Sequence, residues 1–529
     1  MKITKDKIIY DAEDWLGGFD TLRSGQDQRT YGPGLALTDA VDPFRNYGYI
    51  QPGFAPTAAT TSSSITDALR NGVVDTTSAF ALGSTLVHKI TGIETGTPAI
   101  NTTSPFPHTI DHGHASEAGQ DCVIYYTGTT KRMFFSFNDA TDWDVGIYNF
   151  VADTFDDDFM TTVPTNPLAD NWGGVATADY LTQGAGFPHP LIVGADDIMY
   201  MGDRNFVHAY DGQTGATGTF YGAVLTLPVG FVITSFAKTK DLKLAIFGYR
   251  PSSPTAGATT YYRSEAKAYF WPYLGLDPDY ELDLHDNYVS EAFNWNGTIA
   301  CFTDGPQMMK GSGSAKLQAL VNGEFVTLQT YSGSLPIRGG VEVVGDDIYW
   351  NGSGKIYGYQ KVPYTADFVF NHVMTGTGTT SGMLKLFVGT LRLFVSSGAT
   401  TSGGLELFSG NYVTDARCFG KLATPEWPER KRGRLKSATI TLFDTVSGGR
   451  SLKLDTALFG DTYAVVELLA ATTAFTTTQK IVFDRSDGTN ALGDFEKLQP
   501  RLTWATGSAA TAAPVVQKVE YEYELINIP

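Results

Sequence analysis

The sequence contains one dense group of residues that could bind a metal ion. In FPHTIDHGHASE, His108, Asp111, His112 and His114 fall within seven residues, and imidazole and carboxylate groups are ligands that zinc or nickel accepts. Their spacing suits a loop better than one face of a strand, and no second ligand cluster is evident for them to meet. We therefore interpret the group as an exposed polar loop and predict neither a metal nor a cofactor.

An acidic run follows at DTFDDDF, where Asp153, Asp156, Asp157 and Asp158 could supply the oxygen ligands that calcium prefers. The run lacks the alternating Asp-x-Asp-x-Asp-Gly spacing that wraps a cation. A solvated turn is the preferred interpretation.

The residue pattern gives no support for catalysis. Glycoside hydrolysis needs two carboxylates on either side of a sugar bond, and a chain with 56 Asp and Glu always offers some pair. The Ser-x-Asp-x-Gly-x-Thr-Trp boxes of sialidase propellers are absent, and RSDGTN around Asp487 is too short a match. Nucleophile elbows, phosphate-binding loops and His-Glu-x-x-His motifs are also missing. We predict no catalytic residue and a protein that is not an enzyme.

A short hairpin recurs along the chain. DDIMYMGDRNFVHAYDG, residues 196–212, reads as strand, turn and strand. FALGSTLVHKITG at 80–92 and GDDIYWNGSGKIYGYQ at 345–360 repeat its glycine turn and its exit. A position that recurs is better explained by packing than by catalysis. This interpretation assigns structural roles to His88, Asp196, Asp203 and His208.

The hairpin copies predict an all-β fold. Their arms alternate apolar and polar residues, which is typical of strands with one buried face. Copies come roughly every 40 to 60 residues, the size of a four-stranded propeller blade. We predict an extended N-terminal arm over 1–60, a β-propeller of about six or seven blades over 61–415, and a C-terminal β-sandwich or jelly roll over 416–529. A single large sandwich or a β-helix stays open as an alternative for the middle segment.

The charge of the chain limits its partners. A formal net charge of -18 disfavours a nucleic-acid or anionic-membrane surface, because phosphate binding depends on Lys and Arg. The densest basic run could bind nucleic acid or an acidic partner, or dock a neighbouring subunit, although such a run is more often a solvated linker. It comprises Arg430, Lys431, Arg432, Arg434 and Lys436.

The cysteine pattern and the N-terminal residues bear on where in the cell the protein is expected. Cys122, Cys301 and Cys418 are odd in number and far apart, so buried free thiols are expected rather than disulfides or a metal motif. The first twenty residues contain no apolar run of signal-peptide length, and nowhere do about 18 apolar residues run together. We expect neither a secretory precursor nor a membrane protein.

The order of segments resembles that of tail proteins of short-tailed bacteriophages, in particular nozzle or hub proteins and the packaged-DNA stabilisation family. DWLGGFD and YGPGLALTDAVDPFRNYGYIQPG are similar to the opening arms of such proteins, and FEKLQPRLTWATGSAATAAPVVQKVEYEYEL is similar to their closing strands. The resemblance implies a non-enzymatic virion protein assembled in the host cytoplasm. It further implies a ring, commonly a hexamer, that contacts other tail or portal-adaptor proteins.

In that setting genomic DNA would pass through the ring without specific binding, because an acidic lumen repels phosphates. Two other hypotheses remain open. One is a carbohydrate-binding or glycoside-hydrolysing propeller, either a receptor-binding tail protein or an exported enzyme. The other is a scaffold or surface-layer protein that uses the same fold.

Overall fold

The computed structural model describes residues 2–11, 37–39, 41–42, 49–52, 54–58, 69–93, 99–111, 117–138, 143–162, 187–214, 217–250, 265–304, 314–352, 355–362, 368–375, 384–386, 393–397, 404–412, 416–420, 423–443, 451–457, 463–469, 478–482, 494–505 and 514–527. These residues are almost entirely strands and turns. Within those ranges, no helix is long and apolar enough to cross a membrane. The chain forms two compact units, one of Met1–Thr57, Lys355–Thr375 and Phe408–Pro529, the other of Ala58–Gly354 and Gly376–Leu407.

The N-terminal segment is extended wherever it is described. Its strands are β1 (Lys2–Ile3), β2 (Lys7–Tyr10), β3 (Leu37–Asp39), β4 (Val41–Asp42), β5 (Gln51–Pro52) and β6 (Phe54–Ala58). Strands β4 and β5 pair with each other, and the remaining strands join sheets formed with later parts of the same chain.

Five antiparallel sheets then follow one another along the chain, each a meander in which successive strands pair. Sheet 1 contains β7 (Leu69–Val74), β8 (Ser78–Gly83), β9 (Leu86–Thr91), β10 (Ala99–Ile100) and β11 (His108–Thr109). Sheet 2 contains β12 (Ala118–Thr127), β13 (Thr130–Asn138), β14 (Trp143–Asn149) and β15 (Thr154–Asp156), and the short helix α1 (Phe159–Thr162) follows it.

Sheet 3 contains β16 (Leu191–Val193), β17 (Met199–Asp203), β18 (Phe206–Asp211) and β19 (Thr219–Thr226). Sheet 4 contains β20 (Val232–Lys238), β21 (Leu244–Arg250), β22 (Glu265–Trp271) and β23 (Tyr280–Asp283). Sheet 5 contains β24 (Tyr288–Trp295), β25 (Thr298–Asp304), β26 (Ser314–Val321) and β27 (Glu324–Ser332).

Two more sheets of the same kind complete the series. Sheet 6 contains β28 (Val341–Val344), β29 (Asp347–Gly352), β30 (Lys355–Lys361) and β31 (Phe368–Thr375). Sheet 7 contains β32 (Leu384–Leu386), β33 (Leu393–Ser397) and β34 (Gly404–Tyr412), and β6 is its fourth strand.

The first strands of these sheets lie next to one another. Strands β7, β12, β16, β20 and β24 touch in that order, while β28 touches β32 and β32 touches β7. Meander sheets arranged radially around their first strands are the architecture of a β-propeller. The all-β propeller prediction is confirmed. Seven such sheets occur in the described residues, and the number of blades stays a prediction.

Apolar side chains fill the space between successive sheets. Phe134 and Trp143 of sheet 2 pack with Met199 and Tyr210 of sheet 3 in one buried cluster. A second cluster joins sheets 3 and 4, and a third joins sheets 4 and 5. Burial on both faces explains why β17 is buried throughout, since a blade strand has a neighbouring sheet on each side.

The recurrent hairpin is confirmed as a blade unit. Residues 196–212 form β17, a turn and β18, the second and third strands of sheet 3. His88 on β9 and His208 on β18 occupy third strands, and each pairs directly with a second-strand residue. Both imidazoles are fully buried.

The other unit contains a β-sandwich. One sheet has the strand order β1, β2, β42 (Val516–Asn527), β36 (Lys431–Leu442), β39 (Thr478–Val482), with β40 (Asp494–Phe495) beside β36. The second sheet has the order β3, β35 (Ala416–Phe419), β41 (Gln499–Ala505), β37 (Ser451–Ala457), β38 (Tyr463–Leu469). Trp504 and Tyr521 belong to the buried core of this unit. The predicted C-terminal sandwich is confirmed, with N-terminal strands added to both sheets.

The basic run belongs to a sheet strand, which differs from the linker interpretation. It lies at the start of β36, beside the acidic strand β42. Arg434 contacts Asp494 at 2.9 Å and Lys436 contacts Glu524 at 3.1 Å, while Arg432 contacts Glu496 at 2.7 Å. Carboxylates of the same chain therefore form ion pairs with three of the five basic side chains.

Candidate functional site

A cavity of about 290 Å³ lies among the first strands of the propeller unit. Its wall combines residues of four first strands with two loop segments, one before β16 and one before β28. The lining residues are Arg70, Gln120, Pro188, His189, Thr234, Tyr288, Ser290, Leu335, Pro336, Ile337 and Arg338.

Four of the lining residues occupy the same kind of backbone irregularity, a β-bulge. In the pairing of the first and second strands, Arg70, Gln120, Thr234 and Ser290 each stand as an extra residue with no partner across the ladder. Such a β-bulge re-aims a side chain and is common beside binding sites. The cavity wall is thus formed by the same local irregularity in sheets 1, 2, 4 and 5.

The residue after each bulge is polar and joins neighbouring first strands. Asn71 donates its side-chain N–H to Asp121, and Asp121 accepts the backbone N–H of Leu191 at 2.6 Å. Ser235 accepts the backbone N–H of Ala292 at 3.0 Å. Glu291 occupies the corresponding position in sheet 5. A belt of hydrogen bonds therefore runs behind the cavity from sheet to sheet.

Arg338 is the centre of this belt. Its Nε–H donates to the Asp121 carboxylate, its Nη1 donates to the Thr234 carbonyl at 2.8 Å, and its Nη2 donates to the Leu191 carbonyl at 3.3 Å. Asp121 is 2% exposed and also accepts the backbone N–H of Cys122 at 2.9 Å. A buried charge is tolerated only when it is paired and hydrogen-bonded in this way.

Gly339 allows the loop before β28 to approach Asn71 closely. Its φ is +71°, and a Cβ there would lie 2.0 Å from Asn71 Oδ1. Only glycine fits this backbone without displacing Asn71. The Gly339 amide also donates to Glu291 Oε2 at 3.2 Å, which ties the loop before β28 to sheet 5.

Glu291 has an altered pKa. Burial raises the pKa of this carboxyl from 4.5 to about 7, and the negative charge of Asp121 adds to the rise. The positive charges of Arg338 and Lys385 and the Gly339 amide act in the opposite direction without cancelling the effect of burial. Near neutral pH the belt therefore holds a carboxyl that readily gains or loses a proton.

Ser290 presents an unsatisfied group to the cavity. Its side chain is 8% exposed, and its Oγ has no hydrogen-bond partner among the described residues. A buried hydroxyl without a partner is costly, and a water or a ligand in the cavity could supply the missing hydrogen bond. Arg70 differs because its side chain is exposed, and its guanidinium can turn toward the cavity.

The histidine segment that was interpreted as an exposed polar loop is only partly described. His108 Nε2 lies 2.9 Å from Asp157 Oδ1, and the His108 ring stacks on Phe155 with centroids 3.7 Å apart. The acidic run therefore does meet the histidine segment, which the spacing did not predict. His112 and His114 lie outside the described residues. Among the residues that the structure does describe, no group of three or more His, Cys, Asp or Glu side chains could hold a metal.

The other predicted residues lie apart from the cavity. His208 Nδ1 accepts the backbone N–H of Ala223 at 2.9 Å, and its Nε2 lies 3.8 Å from Asp203. Burial opposes the charge of Asp203, but the His208 hydrogen bond and the nearby His189 and Arg204 hold its pKa below the usual value. Asp196 is exposed and accepts the Tyr200 hydroxyl at 2.6 Å.

The three thiols are also structural. Cys122, Cys301 and Cys418 are free and buried, as expected from the sequence. Burial raises the pKa of each thiol, so none is activated as a nucleophile.

Sequence reasoning missed the cavity residues, although a signal for them exists. At the segments LRNGV, GQDCV, ITSFA and VSEAF, two adjacent polar residues interrupt a strand that otherwise alternates. Each pair contains the bulge residue and the belt residue. Arg338 left no comparable signal, because its partners lie 104 to 217 residues earlier in the chain.

Neither protein-family models nor curated protein sequences match this chain. Among solved structures, the Dos1 propeller matches 68% of this chain and 94% of its own, at 9% identity and TM-score 0.41. An exo-β-1,3-galactanase from Phanerochaete chrysosporium matches 85% and 95%, at 10% identity and TM-score 0.34.

The extracellular domain of a hybrid two-component system from Bacteroides thetaiotaomicron is also similar. The match covers 89% of this chain and 62% of that chain, at 10% identity and TM-score 0.44. Likeness at this level assigns neither an activity nor a partner to the chain.

We predict that Gly339→Ala destabilises the propeller far more than Gly345→Ala. Both glycines have positive φ, +71° and +62°, but a Cβ at Gly345 meets nothing within 4 Å. Gly345→Ala should cost about 1–2 kcal/mol from backbone strain alone. Gly339→Ala should cost about 2–4 kcal/mol more, because it displaces Asn71 from Asp121. Urea unfolding measures both, and equal losses would contradict the central role of the Gly339 loop.

We predict that stability falls with rising pH through Glu291. Folding raises its pKa from 4.5 to about 7, so the folded state keeps a proton that the unfolded chain has lost between these values. Relative to Glu291→Gln, the wild-type free energy of unfolding should fall from about pH 4.5 and level off above pH 7, by roughly 3 kcal/mol at most. Unfolding at several pH values measures the difference.

The control for this pH dependence is Glu324→Gln, a variant at an exposed position of β27. It should show no comparable dependence. A wild-type minus Glu291→Gln difference that stays constant across the range would contradict the assignment.

Proposed function

We propose that this chain is a carbohydrate-binding β-propeller protein, with the central cavity as its binding site. The observation that carries the proposal is the buried, unpartnered Ser290 hydroxyl in a wall built from four β-bulges. A cavity of about 290 Å³ lies at the small end of ligand-pocket sizes. It therefore suits one or two sugar units rather than a long chain.

The lining supports a polyhydroxylated ligand. Ser290 and Arg70 offer hydrogen-bonding groups, and the arginine side chain supplies several donors in a fixed geometry. Tyr288 and two prolines supply apolar faces, on which the C–H face of a sugar ring can lie. A ligand with hydroxyl groups and an apolar ring face matches this mixture.

Binding without hydrolysis fits the carboxylates better than catalysis does. A glycosidase needs two carboxylates that flank the scissile bond, whereas the described lining contains neither Asp nor Glu. Asp121 lies behind the wall, where Asn71, Cys122, Leu191 and Arg338 all donate to its oxygens. Its role in the proposal is to position Arg338.

We predict that Ser290→Ala weakens glycan binding without loss of stability. Removing a hydroxyl that has no protein partner relieves a desolvation cost, so the free energy of unfolding should stay constant or rise. A glycan array identifies a ligand for the wild type, and calorimetry then measures an affinity loss of about fivefold or more for the variant.

The matched control for this experiment is Ser437→Ala in the sandwich unit. Ser437 is a buried serine whose hydroxyl donates to Glu522 at 3.1 Å. This variant should leave glycan affinity unchanged. A wild-type protein that binds no glycan on the array would contradict the proposal.

A second candidate is the ring subunit of a phage tail that the sequence resemblance implies. The net charge of -18 favours it, and so do the ion pairs that occupy three residues of the basic run. Both features reduce attraction to passing DNA. This candidate is compatible with a carbohydrate site, since a tail component can also contact a cell-surface glycan.

We predict for this second candidate that the purified chain forms closed rings. Negative-stain electron microscopy and mass photometry measure the assembly directly. A stable monomer at both low and high concentration would remove the ring hypothesis and leave the carbohydrate proposal in place.

A further inference from the structure

The charges at the cavity are of the opposite sign to those of the chain as a whole. The described lining contains two arginines, Arg70 and Arg338, and no aspartate or glutamate. The chain carries 56 acidic and 38 basic residues, so an arginine-only set of charges is unusual for this protein. The cavity wall thus combines positive charge with an unsatisfied hydroxyl.

The carboxylates nearest the cavity neutralise only part of this positive charge. Asp121 neutralises one arginine, because it is paired with Arg338. Glu291 has a pKa of about 7, so a large part of it carries no charge near neutral pH. Lys385 is close enough for its positive charge to lower the pKa of Glu291. Arg70 and Lys385 together leave an excess of positive charge.

Arg70 is the residue best placed to use this excess. It is the bulge residue of sheet 1, which turns its side chain toward the cavity rather than into the ladder. Its side chain is exposed, so its guanidinium is accessible to a ligand. Arginine binds a carboxylate through two parallel hydrogen bonds, and the Ser290 hydroxyl can donate to the same ligand.

From this arrangement we propose that the cavity binds an acidic saccharide, recognised by its carboxylate through Arg70 and Ser290. This inference rests on the proposed function and adds the class of sugar. A carboxylate accepts a hydrogen bond from the Ser290 hydroxyl and also balances the excess positive charge. A neutral sugar can form the hydrogen bond but leaves the charge unbalanced. Sulfated sugars share the anionic chemistry, and a sulfate can also offer two oxygens to the guanidinium fork, so the experiment compares the two anions directly.

The test compares digalacturonate, its methyl ester and a sulfated disaccharide by calorimetry at low ionic strength. The ester keeps the rings and removes the charge. We expect the wild type to bind the acid at least about tenfold more tightly than the ester, and Arg70→Gln to lose that preference. Added salt should weaken binding of the acid more than binding of the ester.

The matched control is Arg250→Gln, which removes an exposed arginine of β21 outside the cavity lining. It should keep the full preference for the acid. Equal affinity of the wild type for the acid and the ester would overturn the acidic-sugar inference and leave carbohydrate binding intact. Tighter binding of the sulfated sugar would overturn the carboxylate assignment. Failure to bind any saccharide would overturn the proposed function as well.

Discussion

The ion pair between Arg338 and the buried Asp121 carboxylate connects the first strands at the propeller centre to one loop. A carboxylate removed from water, such as that of Asp121, needs nearly all of its hydrogen bonds filled. Here the partners come from the first strands of sheets 1 to 4. Loss of either charge would leave the other unpaired among several sheets at once. The pair therefore couples the positions of those sheets to one loop, and that loop depends on the missing side chain of Gly339.

The β-bulges separate structural from binding roles along the same strand. In a regular strand, successive side chains point to opposite faces of the sheet. A polar residue that faces away from the cavity would therefore fix the direction and the spacing of its neighbours. One extra residue changes that spacing. In sheet 5 the bulge residue Ser290 faces the cavity, while the next residue, Glu291, accepts the Gly339 amide. Stability is thus provided by the belt, and the cavity retains a hydroxyl that the fold itself leaves unsatisfied.

Local patterns in the sequence predicted the local structure well and the long-range structure poorly. The repeated glycine turn identified the 196–212 hairpin, although β17 is buried on both faces and not on one. In β42 burial does alternate along much of the strand, because one buried face imposes a period of two. The histidine spacing gave no sign that His108 would meet Asp157, 49 residues later. Charge density suggested a linker at Arg434, whereas its carboxylate partners lie 60 and 90 residues farther along, in strands that pair with β36. Arg338 was missed for the same reason, since a single arginine in a loop does not reveal its partners.

The opposite signs of the whole-chain charge and the cavity charge affect how an anionic ligand would bind. The acidic surface repels such a ligand at long range, but at physiological salt the repulsion is screened beyond about 8 Å. Inside the cavity the nearby arginines dominate, because the low-dielectric wall strengthens close interactions. Electrostatic steering would then contribute little to the association rate. Selectivity for an acidic saccharide would reside mainly in slow dissociation, where the short contacts with Arg70 and Ser290 act.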